Sequence, residues 1–380
     1  MYLALYRKYR PKTFDEVVGQ DHIVTTLKNQ IKLDKISHAY LFTGSRGTGK
    51  TSTAKIFAKA INCLNPKPDG SPCLECEACK ALDKTNIDVL EIDAASNNGV
   101  DEIRDLREKV KYPPVVGKYK VFIIDEVHML STSAFNALLK TLEEPPSYTV
   151  FILATTEVHK LPATILSRCI RFDFKLVSLE DLSALLRRVL TEENVKFDEQ
   201  SINVIARAGE GSVRDTLSIA DRCVSFAGDE LTYKKVVSVL GISERETLIK
   251  MADLILTKNI GEALVELDMV LGQGKSPLVF SNDLVSYFRD LLLILTLGDK
   301  SRKIVVLKDD VYEKMKSQAT LENYSQMVKT IEVLSGVEQE LRYSALPRMV
   351  LETAIIKIIS ETSLEERVQK IEEKLKNFPS

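Results

Sequence analysis

No run of eighteen apolar residues occurs in this 380-residue chain, so the sequence offers no membrane-spanning helix. The first ten residues lack the charged-then-apolar order of a secretory signal, and a cytoplasmic location is expected. Low-complexity linkers and internal repeats are missing, so solenoid organisation finds no support. Net charge is scarce as well: 52 Lys+Arg stand against 54 Asp+Glu, giving −2. That balance is uneven. Residues 1–60 hold 11 Lys/Arg and 4 Asp/Glu, so +7 at the N-terminus faces −9 elsewhere. Such a region suits anion binding, or is simply a solvated basic face. Hydrophobic residues make up 44% and charged residues 28%, which excludes wholesale disorder. The length suggests about two or three domains.

The first 175 residues alternate apolar runs with amphipathic stretches. Expected strands are Ala39–Thr43, Val89–Ala94, Val121–Asp125, Thr149–Thr155 and Ile170–Phe174. Most lack polar alternation, as strands covered on both faces do, and the helices between them imply an α/β sandwich with right-handed crossovers. Ser131–Leu142 reads as a helix capped by Ser131 and stopped by Pro145-Pro146. Beyond about residue 178 strand signals fade. Residues 180–242 read as a small helical bundle whose helices open near Ser178 and Asp198, and 243–362 as further helices. Asp290–Leu297 is apolar enough to be buried all round, or against another subunit. Leu364, Val368, Ile371 and Leu375 predict a short helical tail over 363–380.

Gly44-Ser45-Arg46-Gly47-Thr48-Gly49-Lys50-Thr51 is a P-loop pattern set between the strand ending at Thr43 and a helical run, Ser52–Ile61. Its amides and the helix N-terminus converge on phosphates, Lys50 reaches the outer ones, and the Thr51 hydroxyl suits magnesium. The apolar strand Val121–Asp125 ends in Asp125-Glu126. Asp125 would join the magnesium shell and Glu126 would activate water. No Asn-Lys-x-Asp guanine-reading motif occurs, which disfavours a GTPase. Thr155 or Thr156 could meet the γ-phosphate or the attacking water. Arg168 either complements a helix dipole or serves as a finger into a neighbouring site. Arg214 either folds over the nucleotide or pairs with Asp215 or Glu210.

Six cysteines are few, and four of them, Cys63, Cys73, Cys76 and Cys79, crowd into C-x9-C-x2-C-x2-C. No histidine joins them, and four thiolates leave a tetrahedral zinc no open position, so a structural zinc is expected. An iron–sulfur cluster or unliganded thiols are the alternatives.

These segments together resemble the gamma/tau clamp-loader ATPases of bacterial DNA polymerase III. The resemblance is carried by Tyr6–Pro11 with Phe14 and Val18-Gly19-Gln20, the P-loop, the four cysteines, Ile124–Leu130, Phe135–Pro146, Ala154–Thr156, Ser167-Arg168-Cys169 and Gly211–Asp215. It implies an AAA+ α/β P-loop core with a parallel sheet over 1–179, carrying the cysteine insertion at 63–79. An all-α lid (180–242) and an all-α oligomerisation collar (243–362) would follow. It implies ATP, Mg2+ and Zn2+ as cofactors, with Arg7, Arg10 and Val18 near adenine and ribose. Arg168 becomes a trans-acting finger, Thr155 or Thr156 the first sensor and Arg214 the second. Asn97, Asn98 and Gly99 would lie near DNA. The implied partners are the delta and delta prime subunits and self in a pentameric ring, the sliding clamp and primer–template DNA. The chain ends at Ser380, so tethering of polymerase and helicase is not expected. A DNA-directed DNA polymerase label would describe the holoenzyme.

Overall fold

Five apolar runs become the strands β1 (Ala39–Thr43), β2 (Val89–Asp93), β3 (Lys120–Asp125), β4 (Thr149–Thr155) and β5 (Ile170–Asp173). All pair in parallel, in the order β2-β3-β4-β1-β5. The computed structural model describes residues 3–81, 87–228, 230–241, 245–305, 307 and 309–360, divided between two compact units, Met1–Val236 and Val237–Ser380.

The helices around the sheet are α1 (Leu5–Lys8), α2 (Asp21–Lys32), α3 (Lys50–Ile61), α4 (Glu77–Ala81), α5 (Val100–Val110), α6 (Thr132–Glu143) and α7 (Ala163–Leu166). Successive strand residues point to opposite faces, and both faces are covered. Tyr40, Phe42, Val121, Ile123 and Ile152 pack with Phe57 of α3 and Leu27 of α2. Leu41, Phe122, Ile124, Phe151 and Leu153 pack with Leu106 of α5 and Leu138 of α6. This double burial is why β1 and β4 are apolar without alternation, and both are buried along their whole length. The expected helix start at Ser131 is seen directly: its side chain accepts from the amide of Ala134.

Asp88, just before β2, fixes the loop leading into β3. Its carboxylate accepts from the amides of Val115 (2.7 Å), Val116 (2.7 Å) and Gly117 (3.0 Å). Burial pushes its pKa up, but these amides outweigh burial and hold it below the usual range. A carboxyl depressed in the fold stabilises above its unfolded pKa of about 3.9, and that stability is lost as pH falls through the folded value. Asp88→Asn should therefore cost about 1–3 kcal/mol at neutral pH. The gap to wild type should close as the pH drops below about 4, which thermal unfolding across pH measures; a gap independent of pH would refute the assignment.

The lid helices are α8 (Leu179–Glu192), α9 (Glu199–Ala208) and α10 (Val213–Ala227). Each starts on a side-chain cap: Ser178, Asp198 and Ser212 accept from the amides of Asp181, Ser201 and Asp215. The purely helical expectation for this region needs correction. β6 (Lys196–Phe197) and β7 (Glu230–Leu231) pair in parallel, and Asp198 also accepts from the Tyr233 amide at 2.8 Å, tying β6 to the chain that follows β7. Two-residue strands carry no readable periodicity.

α11 (Tyr233–Leu240) spans the boundary. The second unit contains α12 (Arg245–Leu256), α13 (Ile260–Gly272), α14 (Pro277–Leu297), α15 (Asp309–Gln318), α16 (Tyr324–Gly336), α17 (Glu338–Tyr343) and α18 (Pro347–Ser360). Its core gathers on Phe280, Leu284, Tyr287, Phe288 and Leu291 of α14. Of the two expectations for Asp290–Leu297, burial all round within the chain is corrected. Leu291 and Ile294 are buried, Leu292, Leu293 and Leu295 are half-buried, and Thr296 and Leu297 are exposed. Asp290, set in this run, pairs with Arg245 at 3.0 Å. The tail expected over 363–380 lies outside the described residues. Among the described residues no helix is long and apolar enough to cross a membrane.

Candidate functional site: a P-loop nucleotide site and a four-cysteine cluster

β1 delivers the chain into the P-loop, and α3 leads away from it with Lys50 as its first residue. Gly44 adopts φ +140°, and a Cβ there would meet the Phe174 carbonyl oxygen at 2.4 Å. Gly47 adopts φ +75°, and a Cβ there would meet Ser212 Oγ of the lid at 2.0 Å. Only glycine fits either turn. Thr48 Oγ1 donates to the Ser45 carbonyl at 2.9 Å, which tightens the loop, while Ser45 and Arg46 stand exposed and Gly49 precedes the helix. Lys50 Nζ donates to the carbonyls of Gly44 (2.7 Å) and Ser45 (2.8 Å). Burial lowers its pKa, and the nearby Glu126 and Asp125 oppose that shift.

The second wall is the C-terminal edge of β3 and β4. Asp125 Oδ2 accepts from Thr51 Oγ1 at 2.6 Å, and Asp125 Oδ1 accepts from the Glu126 amide at 3.0 Å. The touching hydroxyl and carboxylate oxygens are a hard donor pair of the kind magnesium takes, so the residues present fit that ion. Glu126 sits at φ +47°, a left-handed conformation costly for a non-glycine residue that turns its side chain out of the strand. Its Oε2 accepts from Thr156 Oγ1 at 3.1 Å.

The two threonines proposed as first sensor therefore differ. Thr155 is fully buried, accepts from the Glu157 amide at 3.0 Å and lies 3.0 Å from His128 Nδ1. Thr156 is the one that touches the acid. Sequence reasoning gave no role to His128, because nothing in a residue string shows that its ring lies between two loops.

The N-terminal arm and the lid complete the surroundings. Arg10 Nε donates to Ser52 Oγ of α3 at 3.1 Å. Arg7 donates to the Tyr6 hydroxyl at 3.1 Å. Val18 is half-buried on a turn held by Gln20, whose side chain donates to the Lys175 carbonyl at 2.7 Å and accepts from the Lys175 amide at 3.1 Å. Arg214 has no acidic partner among the described residues. Its guanidinium lies over the Tyr6 ring, 5.4 Å from the centroid, and its amide donates to the Gly47 carbonyl at 3.4 Å. Tyr6 is a contact the sequence did not reveal, since the two residues lie far apart along the chain. Arg168 is not gathered into this group. It donates to Glu143 Oε1 and the Thr164 carbonyl, both at 2.9 Å.

The cysteines do converge. The Sγ atoms of Cys63, Cys73, Cys76 and Cys79 all lie within 4.8 Å of one another, with 3.9 Å between Cys63 and Cys76 and between Cys73 and Cys79. Tetrahedral ligation at about 2.3 Å per bond separates sulfurs by about 3.8 Å, so the cluster fits one ion. Burial disfavours the Cys76 thiolate, but the amides of Cys79 and Leu64 overcome it and bring its pKa down to about 6.

A P-loop after β1, an acid pair after β3, a polar tip on β4, the 2-3-4-1-5 strand order and a capped helical lid define the AAA+ class. Family profiles agree along the chain. They are those of the DNA polymerase III delta subunit (residues 19–178), the clamp-loader subunit ATPase lid (181–229) and domain III of the gamma and tau subunits (231–373). The chain is 47% identical to DNA polymerase III subunit tau of Bacillus subtilis, covering 94% of this chain and 63% of that protein. It is 38% identical to the gamma/tau subunit of Mycobacterium tuberculosis, covering 98% and 66%. It is 34% identical to the gamma subunit of Buchnera aphidicola, covering 94% and 99%. The chain belongs to the DNA polymerase III gamma/tau family of clamp-loader subunits. It spans just under two-thirds of the Bacillus and Mycobacterium proteins.

Proposed function

We propose that this chain is the ATP-hydrolysing motor subunit of a bacterial sliding-clamp loader. The observation that carries the reading is the meeting of Lys50, Thr51, Asp125, Glu126 and Thr156 at one sheet edge. The loop amides and Lys50 bind the triphosphate. Glu126 takes a proton from water as the water oxygen bonds to the γ-phosphorus and the bond to the β,γ-bridging oxygen breaks. Thr51 and Asp125 would hold magnesium, which neutralises phosphate charge when bound. Thr156 orients Glu126, and Arg214 links nucleotide to lid through the P-loop. Arg7, Arg10 and Val18 form the base and ribose side.

Arg168 acts on a neighbouring subunit. Its place outside its own chain's cluster of site residues supports this, since a group used there has no reason to be gathered at home. The partners we propose are further copies and the delta and delta prime subunits in a pentameric ring, the clamp, and primer–template DNA, in the cytoplasm. The domain limits are 1–179, 180–242 and 243–362. The test is ATP turnover of the chain mixed with partner subunits and clamp, with and without primed DNA. Turnover that rises with primed DNA supports the motor, and turnover indifferent to partners and DNA overturns it.

The four-cysteine cluster is proposed as a structural zinc site stapling 63–79 to the end of α3. Elemental analysis should find about one zinc per chain. Cys76→Ser should lose it and lower the melting temperature by roughly 5–10 °C. Full stability with no bound metal would remove the zinc.

A further inference from the structure

The turn after β3 places His128 with its side chain only 5% exposed, beside the proposed water-activating acid. Nδ1 is 3.0 Å from Thr155 Oγ1 and 3.5 Å from Glu126 Oε2, and Nε2 is 3.2 Å from Glu157 Oε1. One ring thus spans the loops that follow β3 and β4. Its partners hold the ring on both sides. Lys160, 2.8 Å from Glu157 Oε2, is the chief reason the Glu157 carboxyl lies below the usual range. An ionised Glu157 can only accept, so Nε2 donates to it, and Nδ1 is left facing Thr155 and Glu126.

Nδ1 has two neighbours. It meets the Thr155 hydroxyl at 3.0 Å, while the Thr155 oxygen accepts from the Glu157 amide. Thr155 is held between the ring and that amide and becomes a strut, which leaves Thr156 as the responsive hydroxyl. Nδ1 also lies 3.5 Å from Glu126 Oε2, beyond the usual hydrogen-bond range. Oε2 keeps Thr156 as its hydrogen-bond donor, and Oε1 has no donor among the described residues, so it is the oxygen open to a water proton.

We propose that His128, oriented by Glu157, is a positioning residue for ATP hydrolysis that holds Glu126 and the Thr155–Thr156 tip in register. This rests on the motor reading above, and the experiment separates the two. The full chain is assembled with its partner subunits and clamp, and turnover on primed DNA and ATP affinity are measured for wild type, His128→Leu and His128→Asn. Asn can place a polar group near the Nδ1 position, whereas Leu keeps only bulk.

We expect His128→Leu to lose about tenfold or more in kcat with ATP affinity within about twofold, and His128→Asn to recover most of it. Glu157→Gln in the His128→Leu background should add little, because the two act as one unit. Equal rates for Leu and Asn variants of similar melting temperature would reduce His128 to packing and overturn the proposal. So would a kcat unchanged in both. A wild-type complex without DNA-stimulated turnover would instead sink the motor reading.

Discussion

Arg168→Ala should leave ATP binding within about twofold and lower DNA-stimulated turnover of the assembled complex by about 10³-fold or more. The size follows from what a guanidinium does beside a transferring phosphoryl group: it neutralises charge that develops only in the transition state. Within its own chain Arg168 bonds to Glu143 and the Thr164 carbonyl, about a third exposed. Losing such a surface pair costs about 0–1 kcal/mol, far too little to unfold the chain. A fall in rate would therefore report chemistry. Single-turnover hydrolysis with ATP prebound is the measurement. Normal stimulated rates in the variant would return Arg168 to the helix-capping role its Thr164 contact already performs.

Glu126→Gln should lower kcat by about 10²–10⁴-fold while ATP still binds. Gln keeps the volume and can still accept from Thr156 through its amide oxygen, so the left-handed turn at residue 126 is undisturbed. What disappears is the ability to take the water proton. The variant should accumulate in the ATP-bound state, seen as labelled nucleotide retained by the complex after rapid filtration. A loss smaller than tenfold would show that some other group removes the proton. Asp125→Asn should behave differently, weakening magnesium-dependent binding, because its carboxylate meets Thr51 and not Thr156.

The middle of the sheet was legible because β1, β3 and β4 are buried on both faces. Runs such as Thr149–Thr155 show an apolar character that no half-exposed strand shares. The lid helices were legible at their starts, since Ser178 and Asp198 cap as their side chains dictate. The P-loop and the cysteines are contiguous or nearly so, and spacing alone carries their chemistry. The rest depended on residues distant in sequence. β6 and β7 lie more than thirty residues apart and offer two residues each. Arg214 has acids close by in sequence, Glu210 and Asp215, yet its neighbour is Tyr6. His128 needed both loops in place before its ring had a meaning. In α14 the apolar run looked self-sufficient, but the structure places a charged pair, Asp290 with Arg245, among those leucines.

The near-contact of Gly47 with Ser212 has a mechanical corollary. A joint with no clearance cannot idle: a shift of the lid's first turn is met at once by the glycine loop, and the reverse. Widening either partner by a single methyl would act as a wedge. Gly47 can neither shrink nor, at φ +75°, take a side chain, so a larger residue at 212 has no compensating change at 47 and must displace the lid itself.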